Sequence, residues 1–200
     1  MATVVLAAGQ STRMGSENKL LMEIEPGVPV IRRTVEHALE IGLTPLYVVT
    51  GHEAAEIRAA LSDLDCRFEH NPAFADGLSG SVRAGFRQAV SDGASGVLVL
   101  LGDMPFLPAE AVEAVLEEAA ADPGKPVQAV HAGKPAHPVW LPSGLSETVN
   151  RLAGDRGMRN LLAETGGEMV AVEVGDDAVV DIDTPKDFAA ARAREIARND

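Results

Sequence analysis

Residues 1–19, MATVVLAAGQSTRMGSENK, carry the clearest indication of how this chain folds. Residues 2–7 form a short apolar run rich in valine, which is long enough for one buried strand and too short for a buried helix. Gly9 ends the run, and a small polar segment, residues 10–12, follows it. A glycine-rich turn after a buried strand exposes backbone N–H groups, and a concave row of such donors suits phosphate oxygens. The sequence therefore predicts a strand followed by an anion-binding loop.

Two cations belong to the same loop, since Arg13, Gly15 and Lys19 all follow within ten residues of Gly9. They would supply positive charge to a bound phosphate; the alternative is a flexible surface loop whose basic residues are solvated. The loop is not a P-loop, because five residues separate Gly9 from Gly15 and Lys19 stands alone. No G-x-G-x-x-G segment occurs either.

Length and composition favour one α/β domain spanning residues 1–200. The net charge of -13 disfavours nucleic acids and anionic membrane surfaces as partners, because both attract clustered Lys and Arg. A lone cysteine, Cys66, excludes an intrachain disulfide and fits a reducing cytoplasm. No apolar run approaches the ~20 residues that span a bilayer. We therefore expect a cytoplasmic protein that contacts neither nucleic acid nor membrane.

Strand and helix patterns alternate along the chain, which predicts a three-layer α/β/α sandwich with a mostly parallel, Rossmann-like sheet. Predicted strands cover residues 2–7, 46–49, 66–69, 96–101, 127–130 and 169–174, with a possible edge segment at 20–24. Predicted helices cover residues 30–40, 54–61, 108–121, a segment from about 81, and the end of the chain from Pro185. Residues 133–140 are expected to be a loop that enters another strand.

Carboxylates follow the apolar run 96–101 and recur near the end of the chain. Asp103 lies just past a predicted central strand, at the edge where open α/β sheets bind ligands. Asp181 and Asp183 alternate along an extended segment, so both face one side. Magnesium prefers such hard oxygen ligands. The alternatives are capping roles: Asp103 for the helix at 108–121, and Asp183 or Thr184 for the helix that begins at Pro185.

Small residues and hydroxyls precede the predicted helix near residue 81. Gly77, Ser79, Gly80 and Ser81 could present donors to an anion or a nucleobase edge, or the serines could simply cap the helix. The segment is not a nucleophile elbow, because Ser81 stands where the last glycine of G-x-S-x-G is required.

Two histidines and one arginine are weaker candidates. His52 follows the strand at 46–49 and would either touch a ligand or cap the next helix. His137 either contacts a second substrate or is a structural residue beside Trp140. Arg156 would meet an anionic acceptor or only solvent.

Four segments together resemble the MobA-like nucleotidyltransferases. Residues 6–15 and Lys19 resemble the family signature L-A-A-G-x-S-x-R-M-G-x-x-K, with one inserted residue before the lysine. Residues 77–85 resemble G-x-S-x-S-x-R-x-G, residues 102–105 match Gly-Asp-Met-Pro, and residues 181–187 resemble D-x-D-T-P-x-D. The chain departs from the family at Ala136, where Gly-His-Pro usually has its glycine.

The resemblance implies the role of each candidate residue. Arg13, Lys19 and Asp103 would be catalytic, and Mg2+ would be held by Asp103 and Asp183, with Asp181 in reserve. His137 and Arg156 would bind the phosphorylated acceptor. Residues implied in nucleotide binding are Leu6, Ala7, Ala8, Gly9, Gln10, Ser11, Gly15, Gly77, Ser79, Gly80 and Ser81. Nucleotide would then occupy a part at about 1–121, and acceptor a part at about 122–187.

The resemblance also implies a substrate. The guanylyltransferase branch of the family usually has Ala-Gly-Gly before its arginine and the cytidylyltransferase branch has Ala-Ala-Gly, as here at residues 7–9. A methyl group at Ala8 narrows the base pocket and favours CTP, with the molybdopterin phosphate as acceptor. GTP, or another acceptor such as a sugar phosphate, is the enzyme alternative. A non-catalytic carrier that delivers cofactor to a molybdenum hydroxylase apoenzyme is the alternative of another class, and an enzyme could form that complex transiently too.

Overall fold

A computed structural model describes residues 1–11, 14, 17–152, 154 and 169–199. The strands are β1 (Ala2–Ala7), β2 (Glu23–Glu25), β3 (Val28–Pro29), β4 (Leu46–Thr50), β5 (Arg67–His70), β6 (Gly96–Leu101), β7 (Val127–His131), β8 (Lys134–Pro142) and β9 (Val170–Glu173). The helices are α1 (Val30–Glu40), α2 (Ala54–Ala60), α3 (Leu78–Ser91), α4 (Ala109–Ala121), α5 (Ser146–Arg151) and α6 (Pro185–Asn199). Short 3-10 helices cover Lys19–Leu21, Phe74–Asp76, Ser143–Leu145 and Asp176–Val179.

The main sheet has seven strands in the order β5-β4-β1-β6-β8-β7-β9, and β2 and β3 form a separate small hairpin. Adjacent strands of the main sheet are parallel except where β8 pairs with β6 and β7. Strand β1 lies between β4 and β6, so later strands are added on both sides of it. This order is typical of doubly wound sheets, which bind ligands at the carboxyl ends of such strands. The predicted mostly parallel sheet is confirmed.

Two apolar clusters cover the two faces of the sheet and confirm the three layers. One contains Val5, Val48, Leu98 and Leu100 of the sheet with residues from α1, α2, α4 and α6, among them Ile31, Ile57, Val115 and Ala191. The other contains Val4, Val49, Val97 and Val99 with residues from α3 and α5, among them Val82, Phe86 and Val149. Strands β1, β4 and β6 therefore supply side chains to both faces, as their continuous apolar runs predict. No described helix is both long enough and apolar enough to cross a lipid bilayer.

Three predictions of secondary structure are wrong in detail. Residues 134–140 belong to strand β8, not to a loop, and β8 forms a hairpin with β7 through a turn at Ala132 and Gly133. Helix α3 begins at Leu78, three residues before the expected start. The edge segment at 20–24 divides into the end of a 3-10 helix and the beginning of β2. Strand β8 was mistaken for a loop because of its prolines, since proline lacks the N–H that a strand interior normally donates.

Strands β1 and β6 end side by side, which fixes the position of the site. Leu6 pairs with Leu101 in the parallel register, and the N–H of Gly102 donates to the carbonyl of Leu6 at 3.0 Å. A Cβ on Gly102 would lie 2.9 Å from that carbonyl oxygen and 2.9 Å from the Ile31 side chain. Only glycine fits at this close approach. The contact places the next residue, Asp103, beside the end of β1.

Candidate functional site

A cavity of about 460 Å3 opens at the carboxyl ends of β1 and β6. Its volume lies within the range of small-molecule sites, roughly 300 to 1,000 Å3. Its described lining residues come from the β1 loop, the segment before α3, the end of β6 and the segment before α6. They are Leu6, Ala8, Gly9, Gln10, Ser11, Lys19, Leu20, Phe74, Ala75, Gly77, Leu78, Ser81, Leu101, Asp103, Asp181 and Asp183.

The loop after β1 is closed by hydrogen bonds between its two ends. The Ser11 hydroxyl donates to Asn18 Oδ1 at 3.2 Å, and the Lys19 N–H donates to Ser11 Oγ at 3.1 Å. Asn18 also caps the following 3-10 helix, since its Oδ1 accepts from the Leu20 N–H at 3.1 Å. Sequence reasoning missed Asn18, although an asparagine before Lys-Leu-Leu is a usual capping signal. These contacts bring Lys19 back to the strand end despite the inserted residue.

Lys19 connects two carboxylates that are 80 residues apart in the chain (103 against 183). Its ammonium donates to Asp103 Oδ2 and, at 2.7 Å, to Asp183 Oδ1. Burial opposes a charged lysine, but the two carboxylates outweigh it and raise the pKa of Lys19. The ammonium is therefore charged at neutral pH, and a positive charge is favoured at this point of the cavity.

Asp181 completes an acidic group on the same wall. The Ile182 N–H donates to the Asp103 carbonyl at 3.2 Å, and the Ile182 side chain is fully buried. This anchor turns Asp181 and Asp183, on either side of it, toward the cavity, although the segment is not part of a strand. Desolvation raises the pKa of Asp181, and the neighbouring charges of Asp103 and Asp183 raise it further. Both carboxylates therefore face one side, as the predicted alternation requires, although the segment is not a strand.

The carboxylates suit a divalent cation that also binds phosphate. Asp103 is 8% exposed, and its Oδ1 is buried with no hydrogen-bond partner among the residues that the structure describes. A buried carboxylate oxygen without a partner costs free energy unless a cation or donor reaches it. Among the described residues, no group of three or more His, Cys, Asp or Glu forms a complete metal site. A pair of aspartates that leaves positions for phosphate and water is how proteins usually bind Mg2+.

Neither serine at the start of α3 caps that helix. Gly77 is its N-cap residue and makes no side-chain capping bond. The Ser79 hydroxyl donates to the carbonyl of Gly154, and Ser81 Oγ accepts from the amide Nδ2 of Asn71 at 3.0 Å. Asp103 does not cap α4 either, because Pro108 occupies that position. Thr184 does cap α6, as predicted, in reciprocal hydrogen bonds with Asp187.

An aromatic residue that sequence reasoning missed packs against the end of β1. A Cβ on Gly51 would lie 2.5 Å from Phe74 Cβ and 2.8 Å from Ala8 Cβ, so Phe74 packs tightly over this pair. Phe74 and Ala8 both line the cavity. His52 neither caps α2, whose N-cap residue is Glu53, nor lines the cavity; its ring centroid lies 6.0 Å from that of Phe74.

His137 lies in β8, near the same edge of the sheet but outside the cavity lining. Burial lowers its pKa to about 4, so the imidazole is neutral at physiological pH. Its Nε2 is buried, and no described residue is its hydrogen-bond partner. Trp140 is three positions further along the strand and packs against Gly96.

Comparisons with known proteins agree with this geometry. The family described as MobA-like NTP transferase domain matches residues 3–170. The chain belongs to this family. The MobA-like assignment is consistent with the position of the cavity, because the matched range contains the β1 loop, Lys19 and Asp103.

Relatives of this MobA-like chain include an enzyme of much greater length and several chains of similar length. Bifunctional protein GlmU of Anaeromyxobacter sp. (strain K) is 38% identical over 125 residues, which are 58% of this chain and 24% of GlmU. The chain thus matches about a quarter of the length of the curated relatives. A nucleotidyl transferase from Methanothermobacter thermautotroptrophicus (Mth528) superposes with a TM-score of 0.83 at 27% identity, covering 98% of each chain. Rv0371C of Mycobacterium tuberculosis H37Rv, in complex with manganese, has a TM-score of 0.73 at 24% identity and covers 96% of this chain and 97% of its own.

The MobA-like fold brings most predicted site residues together. The cavity lining contains Lys19, Asp103, Asp181, Asp183, Leu6, Ala8, Gly9, Gln10, Ser11, Gly77 and Ser81. Ala7, Ser79, Gly80 and His137 are described but do not line it. Arg13, Gly15 and Arg156 lie outside the described residues. Roles for all these residues stay predictions.

Proposed function

We propose that this chain is a Mg2+-dependent nucleotidyltransferase that transfers CMP from CTP to the phosphate of molybdopterin and releases pyrophosphate. The observation that carries the proposal is the convergence of Lys19, Asp103 and Asp183 beside the glycine-containing loop after β1. Family membership supports nucleotidyl transfer as the class of reaction. The cytidine and molybdopterin assignments rest on the sequence resemblance.

In the proposed reaction, an oxygen of the acceptor phosphate attacks the α-phosphorus of the NTP. A new P–O bond forms, the bond from the α-phosphorus to the bridging oxygen breaks, and pyrophosphate leaves. Positioning and charge neutralisation supply most of the rate in phosphoryl and nucleotidyl transfer. The backbone of residues 8–11 lines the cavity and offers donors to phosphate oxygens, and Lys19 neutralises charge on the leaving group.

Asp103 and Asp183 are the residues that would hold the metal. Both side chains reach one cationic atom, Lys19 Nζ, so the space between them already suits positive charge. When bound, Mg2+ would act as a Lewis acid that stabilises charge on phosphate oxygens. Lys19 would then exchange an aspartate for a phosphate oxygen, a short movement for a flexible four-carbon side chain.

The proposed preference for CTP rests on the wall formed by Ala8 and Phe74. Gly51 lets Phe74 approach the Ala8 methyl group, and both residues line the cavity. In this proposal the two side chains border the base and make that end of the site narrow. A pyrimidine is smaller than a purine, so the narrow end favours cytosine. GTP stays the alternative nucleotide.

The acceptor would enter from the part at about 122–187, which contributes β7, β8 and β9 to the shared sheet. His137 is neutral and could donate or accept a hydrogen bond, and Arg156 would offer a charge. Another phosphorylated acceptor such as a sugar phosphate stays the alternative, as does a carrier that delivers cofactor to a molybdenum hydroxylase apoenzyme.

The test is pyrophosphate release with Mg2+ and molybdopterin cofactor, with CTP and GTP in parallel. We expect release with CTP and about 100-fold less with Lys19→Ala, since one positioned cationic donor is worth roughly this factor in an excluded site. Release with GTP alone would overturn the base assignment and keep the reaction. Nucleotide binding without release would overturn the molybdopterin assignment and favour another acceptor or the carrier.

A further inference from the structure

The segment between β5 and α3 contains a buried amide that neither the sequence motifs nor the proposed reaction uses. Asn71 is 5% exposed and follows β5 directly, and its backbone N–H donates to the carbonyl of Thr50 at 2.8 Å. A buried side-chain amide must satisfy both its oxygen and its nitrogen, so its two partners indicate what the residue is for.

The orientation of the Asn71 amide is fixed by a partner that can only donate. The backbone N–H of Ala73 lies 3.1 Å from Asn71 Oδ1, and an N–H requires the oxygen on that side. The nitrogen therefore points the other way, to Ser81 Oγ at 3.0 Å. An amide nitrogen has no lone pair to accept with, so Ser81 must be the acceptor in this pair.

This contact leaves the Ser81 hydroxyl proton for another acceptor. Ser81 is 3% exposed and lines the cavity. Within the described part of the chain, no protein acceptor is found for the proton of Ser81, whereas the Ser79 hydroxyl donates to the carbonyl of Gly154. The two serines, two positions apart in the chain, thus differ: the hydroxyl of Ser79 donates inside the protein, and that of Ser81 keeps its proton for another acceptor.

Ser81 comes from the same stretch of chain as Phe74 and Leu78, and these two residues, with Ala8, give the cavity its apolar part. The charged part contains Lys19 and the three aspartates. If the triphosphate occupies the charged part, the nucleoside reaches the apolar part, where base or ribose atoms can accept a hydrogen bond.

We infer that Asn71 is a positioning residue, which fixes the Ser81 hydroxyl as a hydrogen-bond donor toward an acceptor atom of the bound nucleoside. The inference rests on the proposed function, because it takes the ligand to be a nucleoside triphosphate. It adds a residue outside the family signature, and it gives the direction of one hydrogen bond in the site.

Asn71→Asp tests the direction of that hydrogen bond. The variant keeps the shape of the side chain but replaces the amide donor with an oxygen, which would take the Ser81 proton and remove it from the cavity. The probes are Mg2+ complexes of CTP and of inorganic tripolyphosphate, with Kd measured by calorimetry. Tripolyphosphate lacks the nucleoside but carries the same kind of charge, so it reports any effect of the added carboxylate on phosphate binding.

We expect Asn71→Asp and Ser81→Ala each to weaken CTP binding relative to tripolyphosphate on the order of 10-fold, the size of one neutral hydrogen bond with its unpaired partner. The double variant should lose no more than either single variant, because both remove the same donor. A relative loss that disappears with 2′-deoxy-CTP would place the acceptor on the ribose, and a loss that persists would place it on the base.

Tyr47→Phe is the matched control, since it removes a hydrogen bond to Asp92 of 2.6 Å from the opposite end of β4. Its Kd ratio should not change. An unchanged ratio in Asn71→Asp, beside a reduced ratio in Ser81→Ala, would overturn the positioning role. An unchanged ratio in both would overturn the contact with the nucleoside. Failure of the proposed function is separate: wild-type protein would then bind CTP no better than tripolyphosphate.

Discussion

Two groups of buried charges in this protein resolve the same conflict in opposite ways. At the site, burial opposes the charge of Lys19, but two carboxylates win and raise its pKa. Between α1 and α6, Arg33 lies 3.1 Å from Glu195, yet burial wins and the pKa of that carboxyl is raised in spite of the arginine. The lysine stays ionised beside a cavity, whereas the glutamate is buried between two helices in surroundings that disfavour its charge.

The geometry of the partners explains the difference. Lys19 donates two hydrogen bonds, one to each aspartate. Glu195 is 1% exposed, and in the described part of the chain neither its Oε2 nor Arg33 Nη2 has a hydrogen-bond partner. Arg33 Nε, 3.1 Å from Glu195 Oε1, makes an ion pair but not a well-aligned hydrogen bond. Glu25, Glu40 and Glu36 add negative charge around Glu195. A buried ion pair stabilises a protein only when its geometry is good and its remaining polar atoms are satisfied. The first group thus suits ligand binding, whereas neither Arg33 nor Glu195 lines the described cavity.

The largest expected effect comes from removing a charge at the site. Asp103→Asn should lower the rate of pyrophosphate release about 1,000-fold, the upper size of losing one preorganised electrostatic group. Its effect on stability should be small, because Asp103 repels the nearby carboxylates of Asp181 and Asp183 as well as attracting Lys19. Steady-state kinetics and urea unfolding of the same sample measure both.

Asp122→Asn is the control for this change, because Asp122 is half exposed and pairs with Lys125 at 3.0 Å beyond the end of α4. It should keep wild-type turnover. If Asp103→Asn instead keeps turnover and loses stability, the site group is structural like the Arg33 pair, and the comparison between the two groups fails.

The next effect is on stability alone. Arg33→Met should lower the free energy of unfolding by about 3 kcal/mol, because it removes the nearer and more buried of the two arginines beside Glu195 and leaves only Arg198, at 3.5 Å. Arg32→Met is the matched control on the same helix; Arg32 pairs with Asp63, which is 63% exposed, and should lose far less. Urea unfolding followed by circular dichroism gives both values, and pyrophosphate release should stay within about 2-fold in both.

The double variant Arg33→Met with Glu195→Leu sharpens the same point. Replacing a poorly satisfied buried pair with packed apolar side chains is often neutral or stabilising. The double variant should therefore recover at least half of the loss of the single variant. A double variant as unstable as Arg33→Met would mean that the pair contributes more than its geometry indicates.

The fold was predictable from sequence for elements whose hydrogen bonds are local or whose apolar run is continuous. Strands β1 and β6 and helix α1 begin and end where their apolar patterns do. Strand β8 was not predictable, because its hydrogen bonds come from β6 and β7, and its prolines suggest a loop. A register shift in β7 between Gln128 and Val130 accommodates this irregular pairing.

The site was predictable where a motif carries the charged residue itself. Lys19, Asp103 and Asp183 follow from motifs, and their predicted convergence agrees with the described contacts. Asn18, Asn71 and Phe74 did not follow, because each acts through a contact whose partner lies elsewhere in the sequence, such as Ser11, Ser81 or Gly51. The Arg33–Glu195 pair was invisible for the same reason, since 162 positions separate its members (195 against 33).

The smallest effect distinguishes the two groups by pH. Burial raises the pKa of Glu195 above its ordinary value of 4.5, against the attraction of Arg33 and with help from Glu25, Glu40 and Glu36. The folded protein therefore binds the Glu195 proton more tightly than the unfolded chain does. Glu195 contributes its full stability below pH 4.5, and this contribution is lost as the pH rises through the folded pKa.

Glu195→Gln removes the titration and keeps the shape, so the difference in unfolding free energy between wild type and variant isolates the residue. We expect that difference to fall as the pH rises above 4.5, by about 1.4 kcal/mol for each unit by which the pKa is raised. Lys19→Met should show the opposite slope, because the ammonium of Lys19 hydrogen-bonds Asp103 and Asp183 and lowers the pKa of Asp181, so its contribution grows as those carboxylates ionise. A Glu195→Gln difference that rises with pH would mean that Arg33 outweighs burial. In both groups ion pairing would then outweigh burial, and only the neighbouring cavity would distinguish Lys19 from Glu195.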